Sequence, residues 1–269
     1  MKTKLVKART KSDKKRKFIR PQKKIGLASN LYTLGILFLI LIALFTSVYF
    51  KRHGIACALI PYMDYQAIQH NSYANVGLSK NQYTAFKALI NSASGRIENT
   101  YGEPISKPII LFTSKKTTAA KWGANETATL HRTPWQTCII VGPYGENTDV
   151  LAHEWLHAEI QERVGFLRIQ KEMPIWFDEG AALTLDYREP YQPIDIHISF
   201  EEVSRVQNLV NGNKFYSGDI VKNYQAARMA VIPLIRKEYF YKDLEKISKG
   251  QSFNQVFMNK VNTRKVNTP

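Results

Sequence analysis

His153, Glu154 and His157 stand in Leu151-Ala152-His153-Glu154-Trp155-Leu156-His157-Ala158-Glu159-Ile160, with the spacing His-Glu-x-x-His. On a helix, residues four apart share a face, so both imidazoles aim at one point with Glu154 beside them. Such a point suits a metal ion. Zn²⁺ accepts imidazole nitrogen at about 2.0–2.1 Å and, with three protein ligands, keeps one position open for water. Glu154 is then placed to take a proton from that water as it attacks a carbonyl. Two solvated histidines on a surface helix would carry the same letters, so the third ligand decides between the readings.

That ligand is offered downstream by Pro174-Ile175-Trp176-Phe177-Asp178-Glu179-Gly180-Ala181-Ala182, a second helix start with an acidic pair in its first turn. His-Glu-x-x-His followed by Trp-aromatic-x-Glu-Gly-x-Ala resembles the gluzincin metallopeptidases. By that resemblance His153, His157 and Glu179 bind Zn²⁺, Glu154 is the general base, and Asp178 supports a ligand or faces substrate. His157 and Glu179 are 22 positions apart, and two motifs in this order are far rarer by chance than one. The order of elements from about residue 79 onward is similar to that family, as is Tyr224-Gln-Ala-Ala-Arg with its long helix and the closing segment Leu244 to Phe253. Family members also place a tyrosine or histidine to stabilise the oxyanion. Tyr224 is the first choice, with His197 and Tyr187 as competitors and a core aromatic as the alternative for Tyr224.

Composition narrows what surrounds the site. Residues 1–24 hold 12 Lys/Arg against one Asp, and Lys51 and Arg52 follow, so of the formal +16 only +3 remains on residues 53–269. A nearly balanced domain removes the main support for nucleic-acid binding. The two cysteines, Cys57 and Cys138, exclude a Cys-rich metal site. A disulfide between them is open in an oxidising compartment, and the preferred reading makes Cys138 a small buried hydrophobe.

The elements that must position these residues follow from patterning. Residues 1–30 form a basic tail expected on the cytoplasmic side. Leu31 to Phe50 is an uncharged apolar run of about the length that spans a bilayer. Basic residues dominate before it, which predicts a single-pass anchor with the catalytic domain outside the cytoplasm. A cleaved signal peptide is the competing reading, disfavoured by the length of the run and by Lys51-Arg52-His53 after it. Residues 51–78 read as a juxtamembrane stalk or the domain's edge, and residues 79–269 as the peptidase domain. Ser79 with Gln82 is a capping box opening a helix to about Asn99. Pro108–Phe112 and Thr137–Val141 are strand candidates, the second able to accept an extended substrate. Thr118–Trp122 is a short helix, and Asn125–Pro134 is loop-like. Asn147-Thr148-Asp149 caps the His-Glu-x-x-His helix. The helix carrying Glu179 is expected to reach about Tyr187, with a short strand at Ile194–Ile198. Helices follow at Phe200–Val210, Asp219–Glu238, Asp243–Lys249 and Ser252–Val261.

The reading is therefore α+β: an N-terminal transmembrane helix, then a zincin-like domain with a small sheet, an active-site helix and a helical C-terminal half. The expected function is peptide-bond hydrolysis of a peptide or protein substrate by water activated at zinc and by Glu154. The alternative is a non-catalytic zinc-binding or regulatory protein on the same scaffold. Oligomeric state is left open.

Overall fold

The structure is a computed structural model that describes residues 27–259, with side chains described at 32–42 and 52–259. The basic-tail reading, and the end of the last expected helix at Val261, lie outside the described residues. The chain divides into two units, residues 1–47 and 48–269, and the second holds the sheet and the candidate site.

Helix α1 (Leu27–Cys57) does not stop at Phe50 but continues through Lys51-Arg52-His53. The expected transmembrane anchor at 31–50 is not upheld, because no helix among the described residues is long and apolar enough to cross a membrane.

Of the two readings of residues 51–78, a stalk or the domain's edge, the strands at 65–75 agree with the second, with β1 at one edge of the sheet. Strands β1 (Tyr65–Gln69) and β2 (Ser72–Asn75) form a hairpin turned at Asn71, whose φ of 56° suits a turn asparagine. Helix α2 (Lys80–Tyr101) opens with the expected capping box of Ser79 and Gln82. Strand β3 (Ile109–Phe112), helix α3 (Lys116–Lys121), strand β4 (Ala128–Arg132) and strand β5 (Thr137–Val141) complete the sheet. Its order is β1-β2-β3-β5-β4, with β2, β3 and β5 parallel and the outer strands antiparallel to their neighbours.

Two corrections come from this order. The stretch Asn125–Pro134, expected as a loop, supplies β4. Thr137–Val141, expected to accept a substrate strand, is interior, with its hydrogen-bonding sides taken by β3 and β4. Among the described residues, the strand with an unpaired edge on that side is β4.

Strands β3 and β5 are buried on both faces. Ile110, Phe112, Ile139 and Val141 join the main core with α2, while Ile109, Leu111, Cys138 and Ile140 join Cys57, Ile60 and Trp122 on the other side. Their unbroken apolar runs reflect that double burial. Cys57 and Cys138 form a disulfide, with Cα atoms 6.1 Å apart, which corrects the reading of Cys138 as a free buried thiol.

The helical half comprises α4 (Thr148–Val164), α5 (Phe166–Glu172), α6 (Ile175–Leu183), α7 (Phe200–Val206), α8 (Gly212–Phe215), α9 (Ile220–Val231) and α10 (Phe240–Ser248). The strand expected at Ile194–Ile198 is instead a 3₁₀ turn, Pro193–Asp195, followed by extended chain without strand pairing. Pro193 fixes φ and removes a donor the ladder would need. The main core wraps α4, whose Leu151, Ala152, Leu156, Ala158 and Ile160 are fully buried.

Candidate metal centre

Helix α4 begins where the Asn147 Oδ1 accepts the Val150 amide at 2.9 Å, and ends at Gly165, whose φ of 91° a side chain would resist. Between them the helix presents His153, Glu154 and His157 to a cavity of about 620 Å³. Glu159, on the same helix, serves the fold: its carboxylate accepts the Ile105 and Ser106 amides and Arg163 Nε. Helix α6, with Pro174 as its N-cap, brings Asp178 and Glu179 to the same cavity from its first turns.

Three donor atoms converge there. His153 Nε2 and His157 Nε2 are 3.2 Å apart, and Glu179 Oε2 lies 3.4 Å from each. Bonds of roughly 2.0–2.1 Å at tetrahedral angles put neighbouring donors about 3.3–3.4 Å apart, so the three atoms match one face of such a tetrahedron. Glu179 Oε2 is buried without a hydrogen-bond partner among the described residues. A buried carboxylate oxygen with no donor is costly unless a cation meets it. The set His153, His157 and Glu179 therefore fits a metal ion.

Two of the candidate ligands, His157 and Glu179, are held from behind by hydrogen bonds, whereas His153 Nδ1 has no hydrogen-bond partner among the described residues. His157 Nδ1 donates to Asp178 Oδ1 at 3.0 Å, which turns Nε2 toward the cavity. Asp178 Oδ2 accepts from Arg132 Nη2 at 2.8 Å, and the same nitrogen donates to the His157 carbonyl at 3.4 Å. Asp178 thus links the candidate ligand His157 to Arg132. Asp186 Oδ2 lies 3.8 Å from His153 Nδ1 and accepts Arg188 Nη2 at 2.5 Å. The Tyr216 hydroxyl donates to Glu179 Oε1 in a short hydrogen bond.

Charge follows geometry. Burial opposes charging of His157, yet Asp178 and Glu179 push its pKa up to about 10. Burial would raise Glu179, but the two imidazoles hold it well below the usual carboxylate range. Burial pushes the Glu154 carboxyl up against the pull of the histidines, which favours a base over a spectator anion.

The cavity runs between β4 with the residue before it, through Thr127, Thr129, Leu130 and Arg132, and a wall containing Arg188, Tyr191, Tyr216 and Tyr224. Of the three residues weighed for the oxyanion, Tyr224 lines this cavity, whereas His197 and Tyr187 do not. Tyr216, Arg132, Asp186 and Arg188 escaped the sequence reading. Asp186 carried a faint signal, as an acid soon after the Glu-Gly motif, and the others carried none. No family model matches the chain, and no curated protein is detectably similar to it in sequence.

Proposed function

We propose that the chain is a zinc-dependent peptidase, with His153, His157 and Glu179 as the ligands. The observation that carries this reading is the convergence of two imidazole nitrogens and one carboxylate oxygen at 3.2–3.4 Å, with Glu154 lining the same cavity. When bound, zinc supplies a Lewis acid that polarises a carbonyl and acidifies water. Glu154 takes the proton of the attacking water and passes it to the leaving amine. An extended substrate lies along the free edge of β4, where main-chain hydrogen bonds hold it irrespective of its side chains. Tyr224 donates its hydroxyl to the oxygen on which negative charge develops. Arg132 ties the substrate-facing strand to Asp178, and through it to His157. The Cys57–Cys138 disulfide supports work in an oxidising compartment outside the cytoplasm.

The test is metal analysis and hydrolysis of a fluorogenic peptide library by the purified chain. One zinc per chain is expected in the wild type and in Glu154→Gln, with hydrolysis abolished only in the variant. His153→Ala, His157→Ala and Glu179→Ala are each expected to lose zinc. Zinc without hydrolysis in the wild type points to the non-catalytic binding protein, and failure to take up metal removes both readings.

A further inference from the structure

Glu179 has two oxygens, and the chain treats them differently. Oε2 faces both imidazole Nε2 atoms at 3.4 Å and has no hydrogen-bond partner among the described residues. Oε1 is turned away to the Tyr216 hydroxyl. A carboxylate free at both oxygens can chelate a small cation through both, and this would fill the position that a water or carbonyl needs. A phenol donor on Oε1 withdraws that oxygen's lone pair from the metal side. We infer that Tyr216 is a positioning residue that holds Glu179 to a single metal-facing oxygen and so keeps one coordination position open.

The local fold is built to keep Tyr216 there. It caps α8, and its neighbour Phe215 is fully buried. Asn223 on α9, itself buried, donates its side-chain amide to the Phe215 carbonyl at 2.6 Å and to the Ser217 carbonyl at 3.3 Å, one on each side of Tyr216. The Asn223 Oδ1 in turn accepts Arg205 Nη2 at 2.7 Å. Gly212 leaves room for the ring, since a Cβ there would stand 3.2 Å from it. An exposed ring pinned through its backbone on both sides, with its hydroxyl spent on Glu179, is a device for orienting a carboxylate.

This inference rests on the metal reading, and its test separates the two. The full chain and Tyr216→Phe are loaded with Co²⁺, and the visible spectrum reports coordination number. A parallel titration against a chelator reports zinc affinity. The wild type is expected to show the intense bands of four-coordinate Co²⁺, and Tyr216→Phe the weaker bands of a higher-coordinate ion. A change in zinc affinity on the 10–100-fold scale seen when a ligand's supporting partner is removed should accompany it. Tyr216→Phe keeps the ring, so loss of fold does not confuse the result. An unchanged spectrum and affinity overturn the inference, even if hydrolysis falls, because the hydroxyl would then act on substrate. No Co²⁺ uptake by the wild type overturns the metal reading and this inference together.

Discussion

At the scale of single residues, the proposed hydrolysis needs a donor for the developing oxyanion, and Tyr224 lines the cavity that holds the candidate ligands. Burial raises its pKa, and the nearby Glu179 and Glu154 carboxylates raise it further, so the phenol stays protonated and able to donate. Tyr216 is closer to Glu179 but has committed its hydroxyl there. Tyr224→Phe is therefore expected to lower kcat by about 10²–10³ with zinc content unchanged. His197→Gln, at an exposed residue outside the cavity, should leave kcat as it is. Steady-state kinetics on the two variants decides the matter, and full activity in Tyr224→Phe would return that residue to the role of a core aromatic. The contrast between these residues and the ligands explains what was legible. His153 and His157 are one helical turn apart, so their shared face is visible in the letters. Tyr216 reaches Glu179 across 37 positions and Arg132 reaches Asp178 across 46, and no local period encodes such contacts.

At the scale of elements, the helices α2 and α4 and the strands β3 and β5 stood out because capping residues and dense apolar runs are local signals. Strands β1, β2 and β4 did not. Ala128-Thr-Leu-His-Arg is polar at an edge whose burial depends on the helix across the cleft, and the hairpin Tyr65–Asn75 alternates only weakly. The helix carrying Glu179 ends at Leu183, earlier than expected, with the Thr184 hydroxyl donating to the Ala181 carbonyl at 2.5 Å. That early end frees the chain to bring Asp186 behind His153. The glycine of the Glu-Gly motif also gains a reason from packing: a Cβ at Gly180 would stand 2.4 Å from the Ala227 carbonyl oxygen. Gly180 thus sets how closely α6 approaches α9, the helix bearing Asn223 and Tyr224. Gly180→Ala is expected to cost about 1–3 kcal/mol through overpacking and to weaken zinc retention. Gly95→Ala on α2, with open space at the Cβ, is expected to stabilise by roughly 0.5–1 kcal/mol. Denaturant unfolding of the pair checks the opposite signs; equal effects would show that backbone propensity, not helix approach, governs position 180.

At the scale of the whole molecule, the sheet separates two cores of unequal size, and the disulfide belongs to the lesser one. Helix α4, which carries the proposed metal ligands His153 and His157, packs in the main core with Ile110, Phe112, Ile139 and Val141. The opposite face is covered by a small cluster in which Cys57 and Ile60 meet Trp122 and alternate residues of β3 and β5. A patch that small buries little apolar area, so the covalent link from Cys57 to the central strand carries much of the closure. The linked residues are 81 positions apart, a span for which chain entropy gives about 4–5 kcal/mol and for which typical measured gains are roughly 2–4 kcal/mol. The double variant Cys57→Ala with Cys138→Ala is accordingly expected to lose about 2–4 kcal/mol in denaturant unfolding, and the wild type in reductant to lose a similar amount. Because the ligand helix packs on the other face of the sheet, the folded double variant should still hold one zinc per chain. Unchanged stability would mean that the back cluster closes without its covalent tie. Loss of zinc from a variant that remains folded would mean that β5 transmits strain through β4 and Arg132 to Asp178, making the metal centre a property of both faces of the sheet.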